Sequence, residues 1–244
     1  MSSSARADDG YLSIGGNPHL MGPHSTVSMQ SEAVDVDIRE NNVTVDCQFV
    51  FKNTGEACSV RMGFPDQGTT EQRDPKHPQG SFKSYKSYVN GIEIPTETVS
   101  GAGKKYEIWH AKVVDFPANS ILRVHDVYSD IEGGFQIPPD GCAHFFSYVL
   151  HTASSWSGKI GVGDVRITFN SHDGPFHAVS ARDVPGANLR KFLRKAPTGT
   201  ILYSGPGHPE VEGKTLKFHF ENLRPNDGSD IVLMYDYQKN LPEK

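Results

Sequence analysis

What this sequence lacks narrows its roles before any motif is considered. In 244 residues it carries three cysteines, Cys47, Cys58 and Cys142, and no Cys-x-x-Cys pair. That is too few for a disulfide framework, and the spacing is not that of a zinc-binding cysteine motif. An odd count leaves at least one thiol unpaired within the chain. Cys47 falls in phase with apolar neighbours, so all three are read as small hydrophobes. No apolar run approaches the roughly 18 to 20 residues that a membrane-spanning helix needs. Basic clusters are missing too: beyond "LRKFLRK" the Lys and Arg residues are dispersed and the formal net charge is -5. Such a distribution offers no electrostatic footprint for nucleic acid. There is no Gly-x-Ser-x-Gly elbow for a nucleophile. The stretch "GVGDVR", Gly161 to Arg166, lacks the third glycine of a dinucleotide loop and leads into a strand pattern, not a helix.

What is present is alternation. Aromatics make up 10% of the chain and are spread along it, which argues for a folded core despite an apolar content of only 36%. In "NNVTVDCQFVFKNTGEACSVRMGFP", Val43, Val45, Cys47, Phe49 and Phe51 share one parity while Thr44, Asp46, Gln48 and Lys52 share the other. That is the period of a half-buried strand. After the turn "NTGE" the pattern resumes with Cys58, Val60, Met62 and Phe64, so the two runs form either a hairpin or a sheet-to-sheet connection. In a simple hairpin Cys47 and Cys58 would be offset by about 13 Å at strand rise, too far for a disulfide. Val34, Val36 and Ile38 alternate upstream with acids. "SFKSYKSYVNG", "YEIWHAKVVDF" and "ILRVHDVYSD" follow downstream, separated by turn-forming Asn90-Gly91, "SGAGKK" and "PANS".

The Gly- and Pro-rich segment "IEGGFQIPPDG" marks the expected boundary. Beyond it "HFFSYVL", "DVRITFN", "TLKFHFEN" and "DIVLMYDY" again read as strands, with Val165, Ile167 and Phe169 on one face and Leu216, Phe218 and Phe220 on another. The one helical candidate is "NLRKFLRKA", in which Leu189, Phe192 and Leu193 recur at helical spacing. The expected fold is therefore all-β: two consecutive antiparallel β-sandwich-like domains, 25–132 and 133–244, with at most one short helix. Residues 1–24 are expected to form a flexible N-terminal segment. Within it Ala5-Arg6-Ala7 before Asp8 has the form of a signal-cleavage remnant, although no apolar segment precedes it here. A precursor with such a segment upstream, and a mature start near Asp8, would follow.

The stretches "STVSMQSEAVDVDI", "VTVDCQFVFKNTGEACSVRMGFPD", "VVDFPANSILRVHDVY" with Gly133-Gly134, "SYVLHTASSWSGKIGVGDVRITF" and "FENLRPNDGSDIVLMY" resemble, in this order, an exported bacterial family known as the domain of unknown function 4424. The N-terminal part is also similar to the β-sandwich of the vault protein inter-alpha-trypsin module. The resemblance implies export, a secreted or periplasmic location and a two-part β architecture. It brings no catalytic motif, and the start "NPHLMGPH" departs from the pattern.

Eleven histidines are the one unusual supply of ligands. "HLMGPH" offers His19, Met21 and His24, a donor set suited to copper. "SHDGPFH" offers His172, Asp173 and His177, suited to zinc or a similar ion. Neither has an established ligand spacing, and solvated loop histidines are the simpler reading. His219 alternates with Lys217 and Glu221 on a polar face, and Trp156 reads as a core anchor. Asp126 with Asp130, or Glu210 with Glu212, would serve as a glycosidase pair only if held across a cleft, and they read as surface acids. These observations point to an exported, non-catalytic binding or structural protein, with no cofactor expected and an unknown protein or glycan partner. The alternative is a secreted metal-dependent enzyme, a hydrolase or copper protein, using the loop histidines.

Overall fold

The structure, a computed structural model, describes residues 14–22, 26–66, 80–100, 108–137, 141–184, 192–193, 195–226 and 228–239. It is all-β. Among the described residues helical geometry is confined to two 3-10 turns, His151–Ser155 and Ala181–Asp183, and to Phe192 and Leu193, which lie in the expected helical stretch. The remainder of that stretch, apart from Lys195 and Ala196, lies outside the described residues.

Eight strands form the central sheet, in the order β16 (Glu210–Glu212), β17 (Thr215–Leu223), β13 (Ile160–Phe169), β3 (Val27–Arg39), β4 (Asn42–Asn53), β10 (Ile121–Asp130), β6 (Ser84–Val89) and β7 (Ile92–Ile94). A four-stranded sheet runs β2 (His19–Leu20), β5 (Cys58–Asp66), β9 (Ile108–Phe116), β8 (Glu97–Ser100). The third sheet runs β1 (Ile14–Gly16), β12 (Gly141–Val149), β18 (Ile231–Lys239), β15 (Thr200–Ser204), β14 (His177–Ser180), with β11 (Gly133–Ile137) also paired to β12.

Alternation dictates these strands and their inner faces. Val43, Val45, Cys47, Phe49 and Phe51 of β4 are all buried, as are Val60, Met62 and Phe64 of β5 and Val165, Ile167 and Phe169 of β13. Fully burying a side chain of this size contributes about 1.5–3 kcal/mol. A register shift in β3 between Met29 and Ser31 changes the inward parity, so that Val27 and Met29 point inward before it and Glu32, Val34, Val36 and Ile38 after it. β4 and β5 lie in different sheets, so "NTGE" is a sheet-to-sheet connection and not a hairpin. Cys47, Cys58 and Cys142 are free thiols; Cys47 is fully buried and the other two partly so.

Both smaller sheets cover the same face of the large one. Lys112 of β9 meets Asp126 of β10, and the Tyr148 hydroxyl of β12 donates to Cys47 Sγ of β4 at 3.9 Å. Asp126 and Cys47 are directly paired across the β10–β4 ladder, so their side chains share a face. The expected division at residue 132 falls between strands of this assembly. β3 and β4 precede it, β13 and β17 follow it, and the four are consecutive neighbours in one sheet. β13 joins β3 through a parallel ladder pairing Val165 with Val34, and one continuous core includes residues from all three sheets.

Candidate functional site

The N-terminal strands place His19 and Met21 at a cleft. Pairing of β2 with β5 sets His19 opposite Gly63, and the Met21 amide donates to the Arg61 carbonyl at 2.9 Å. Gly63 makes room here for close approach. A Cβ at this position would lie 2.9 Å from Met21 Sδ and 3.1 Å from Trp109 Cε3, so its absence lets the thioether sit beside the indole. Lys112 of β9 points to the central sheet, and Trp109 has the opposite parity. The indole therefore occupies the outer side of the four-stranded sheet. The His19 ring lies against it at 5.2 Å between centroids.

The opposite wall is the turn His151–Ser155, bound to residues 17–20 by hydrogen bonds across more than 130 positions of sequence. Thr152 Oγ1 donates to the Asn17 carbonyl at 2.6 Å, Trp156 Nε1 to the Pro18 carbonyl at 2.6 Å, and the Leu20 amide to Ser155 Oγ at 2.8 Å. Trp156 is itself a core anchor, packed on Phe51 at 4.6 Å. Together His19, Leu20, Met21, Trp109, His151, Thr152 and Ser154 line a cleft of about 340 Å³.

Two hydrogen bonds set the tautomers of its imidazoles. His19 Nδ1 lies 3.1 Å from the Thr152 carbonyl, which can only accept, so Nδ1 carries the proton and Nε2 the lone pair of the neutral ring. His151 Nδ1 donates in the same way to Asp230 Oδ2 at 2.7 Å. Asp230 Oδ1 also accepts from the amides of Leu150 and His151 at 2.8 and 2.9 Å, which holds the carboxylate at the start of the turn. His19 and His151 thus line the cleft beside a Trp, a Leu and a Met, each with Nε2 outside the bond that fixes its tautomer. His151 and Trp109 were not among the sequence candidates, because only the fold brings residues 19, 109 and 151 together. His24 lies outside the described residues.

The second candidate set separates. His172 turns inward, with Nε2 2.8 Å from Glu132 Oε1, while Asp173 and His177 are exposed. The partners of His172 are instead His144, Glu132, Tyr235 and Asp236. Tyr235 donates its hydroxyl to Glu132 Oε1 at 2.8 Å, His144 Nδ1 lies 3.4 Å from Glu132 Oε2, and His172 Nδ1 lies 3.5 Å from Asp236 Oδ2. The Glu132 bond, opposed by burial, raises the His172 pKa above its ordinary value. Burial pushes Glu132 upward, but the bonds from His172 and Tyr235 outweigh it and leave its pKa lowered. This arrangement ties the 170–176 loop to β12 and β18. Among the described residues, no group of three or more His, Cys, Asp or Glu side chains is arranged to hold a metal ion.

Several charged groups are buried between the sheets. Lys112 and Asp126 form an ion pair with both side chains fully buried, and Lys112 Nζ also donates to Ser87 Oγ at 2.8 Å. Burial lowers the Lys112 pKa, with Asp126 opposing the shift. Asp126 and Asp130 are therefore core residues rather than the surface acids expected. The parity of Leu122, Val124 and Tyr128 on the same strand is the signal that reveals them. Asp66 is buried too, accepting from His110 Nε2 at 2.8 Å and from Ser81 Oγ at 2.9 Å. Glu32 is 2% exposed and neither carboxyl oxygen has a hydrogen-bond partner of normal geometry. Burial pushes its pKa up to about 8, only partly offset by the adjacent Asn17 and Tyr148.

Two wider grooves, about 530 and 550 Å³, run over the outer face of the central sheet. Their charges largely satisfy one another: Arg166 pairs with Asp35 at 3.1 Å, His219 with Asp164 at 2.7 Å, and Lys217 with Glu212. Exposed pairs of this kind make a solvated surface. The cleft at His19 is smaller, but it combines a fixed wall, an aromatic ring and oriented acceptors.

No family model matches the sequence, and no curated protein does. Among solved structures the chain is similar to a Legionella pneumophila protein provisionally named as nutrient binding. The TM-score is 0.67 at 16% identity, over 93% of this chain and 72% of that one. At that identity the likeness defines a shared β fold. A zinc metallopeptidase from Deinococcus radiodurans is more distant, with a TM-score of 0.37 at 9% identity; this chain spans 42% of its length.

Proposed function

We propose that this protein is an exported, non-catalytic binding protein that takes a small ligand in the cleft between β2, β9 and the His151–Ser155 turn. The observation that carries the reading is the pair of imidazoles, His19 and His151, each with Nδ1 committed to a protein acceptor and Nε2 left for a ligand, beside the Trp109 ring. An apolar wall with a few oriented polar atoms is the usual composition of a small-molecule site. The name given to the Legionella protein and the resemblance to an exported family agree with such a role. Export itself is tested by mass spectrometry of protein from its native source, with a mature start near Asp8 expected and a start at Met1 contradicting it.

Binding is tested by thermal denaturation, in chelator, with a panel of amino acids, dicarboxylates, sugars and nucleosides. A ligand at a hundredfold excess over its Kd stabilises by about 2.7 kcal/mol, a rise of several degrees in Tm. Ser154 is exposed at the cleft, so Ser154→Trp should fill it without disturbing the core. At least one class should raise Tm in the wild type and not in Ser154→Trp. Equal stabilisation of both proteins, or no stabilising class together with no metal ion bound by the cleft, would overturn the proposal.

A further inference from the structure

The donors in this cleft are chemically selective, and that selectivity names a ligand class beyond the general binding role on which it rests. We infer that the cleft binds a soft monovalent metal ion, Cu(I), through His19 Nε2, His151 Nε2 and the Met21 thioether.

The two imidazoles are prepared as ligands. Each has its Nδ1 proton held by an acceptor, the Thr152 carbonyl for His19 and the Asp230 carboxylate for His151. Such outer partners orient a ligating ring and raise the basicity of its other nitrogen. Thr152 directly follows His151, so the carbonyl that orients one ring is attached to the residue next to the other. Met21 supplies the third donor, and the glycine at position 63 leaves room for its sulfur on the side of the strand that Trp109 occupies.

The donor types decide which ion this suits. A thioether with imidazoles selects Cu(I), whereas magnesium and calcium require oxygen ligands. Zinc is served by thiolate, imidazole and carboxylate. Among the described residues, no Asp, Glu or Cys lines this cleft. The lining residues are also uncharged when the imidazoles are neutral, so a monovalent ion leaves less uncompensated charge than a divalent one. The Trp109 ring adds a cation-attracting face beside the donors. A donor set of two histidines and a methionine differs in kind from the His, Cys, Asp and Glu clusters that are missing among the described residues.

The test is anaerobic Cu(I) titration against the chromophoric chelator bathocuproine disulfonate. It uses the full chain carrying Cys58→Ser and Cys142→Ser, so that partly exposed thiols do not compete. One equivalent of Cu(I) per chain is expected, with less than a tenth of an equivalent of Zn(II) retained. Met21→Leu, which keeps volume and removes sulfur, should weaken Cu(I) binding at least tenfold with Tm of the metal-free chain unchanged. His151→Ala should weaken it further. Cu(I) should quench tryptophan fluorescence, and Trp109→Phe should remove most of that quenching. Absence of stoichiometric Cu(I), or undiminished affinity in Met21→Leu or His151→Ala, overturns the inference. If organic ligands stabilise the wild type but not Ser154→Trp while Cu(I) fails to bind, the copper assignment falls and the cleft remains a binding site. If both fail, both fall.

Discussion

His19 and Thr152, separated by 133 residues of sequence, meet through a 3.1 Å hydrogen bond from the imidazole Nδ1 to the backbone carbonyl. The bond joins the second strand to the turn that follows β12, so the wall of the cleft and the tautomer of its first histidine are set by one contact. Asp230 performs the same service for His151 and anchors the turn.

Asp230→Ala should therefore loosen the turn. It removes an acceptor used by the Leu150 and His151 amides and by the His151 ring. A hydrogen bond to a charged group contributes about 1.5–3 kcal/mol. The expected loss in denaturant melts is of that size, with faster amide exchange across residues 150–155. Unchanged exchange there would show that the turn is held by its contacts with residues 17–20 alone.

Glu32 makes stability depend on pH. Its folded pKa, about 8, lies above its ordinary value of 4.5. Between those values the folded chain retains a proton that the unfolded chain has released, so stability falls as pH rises through this window and levels off above about pH 8. Glu32→Gln keeps the shape and cannot ionise. It should be more stable than the wild type at pH 8, with the difference shrinking towards pH 5. Parallel pH profiles for the two proteins would contradict the burial of this carboxyl.

The Lys112–Asp126 pair should show the asymmetry of a buried ion pair. Lys112→Met alone strands the Asp126 carboxylate in the core and should cost about 3–5 kcal/mol, whereas Lys112→Met with Asp126→Leu should recover most of that loss. Urea melts of the two variants decide the matter. Additive losses would mean that the residues do not act as a pair.

Neighbouring positions on β4 test the inner face. Phe49 is 1% exposed and Gln48 lies on the solvent side. Phe49→Ala should cost about 3–5 kcal/mol and Gln48→Ala less than about 0.5 kcal/mol. Similar costs for both would invert the assignment.

Much of the fold was legible because strand alternation is a local property. Val43 through Phe51, and Val165 through Phe169, declare their buried face within ten residues. The path of the strands was less visible. A parallel ladder between β3 and β13 joins segments more than 120 residues apart, and no local pattern encodes that pairing. The cleft was half legible: His19 and Met21 stood out as ligands in one short segment, but Trp109 and His151 enter through sheet packing. Charge patterning misled at Asp126 and Asp130, where an acid reads as surface unless its strand parity is given more weight than its polarity. His172 drew notice for its neighbours in sequence, yet its partner is Glu132, forty residues away.

The central claim is that ligand binds at His19 and His151, and NMR chemical-shift mapping with a stabilising compound tests it most directly. Perturbations should centre on residues 17–21, Trp109 and 150–155, with the imidazole Nε2 nitrogens of His19 and His151 moving most. Shifts centred on Asp35, Arg166 and Lys217 of the outer sheet face, with the cleft residues unmoved, would contradict the account.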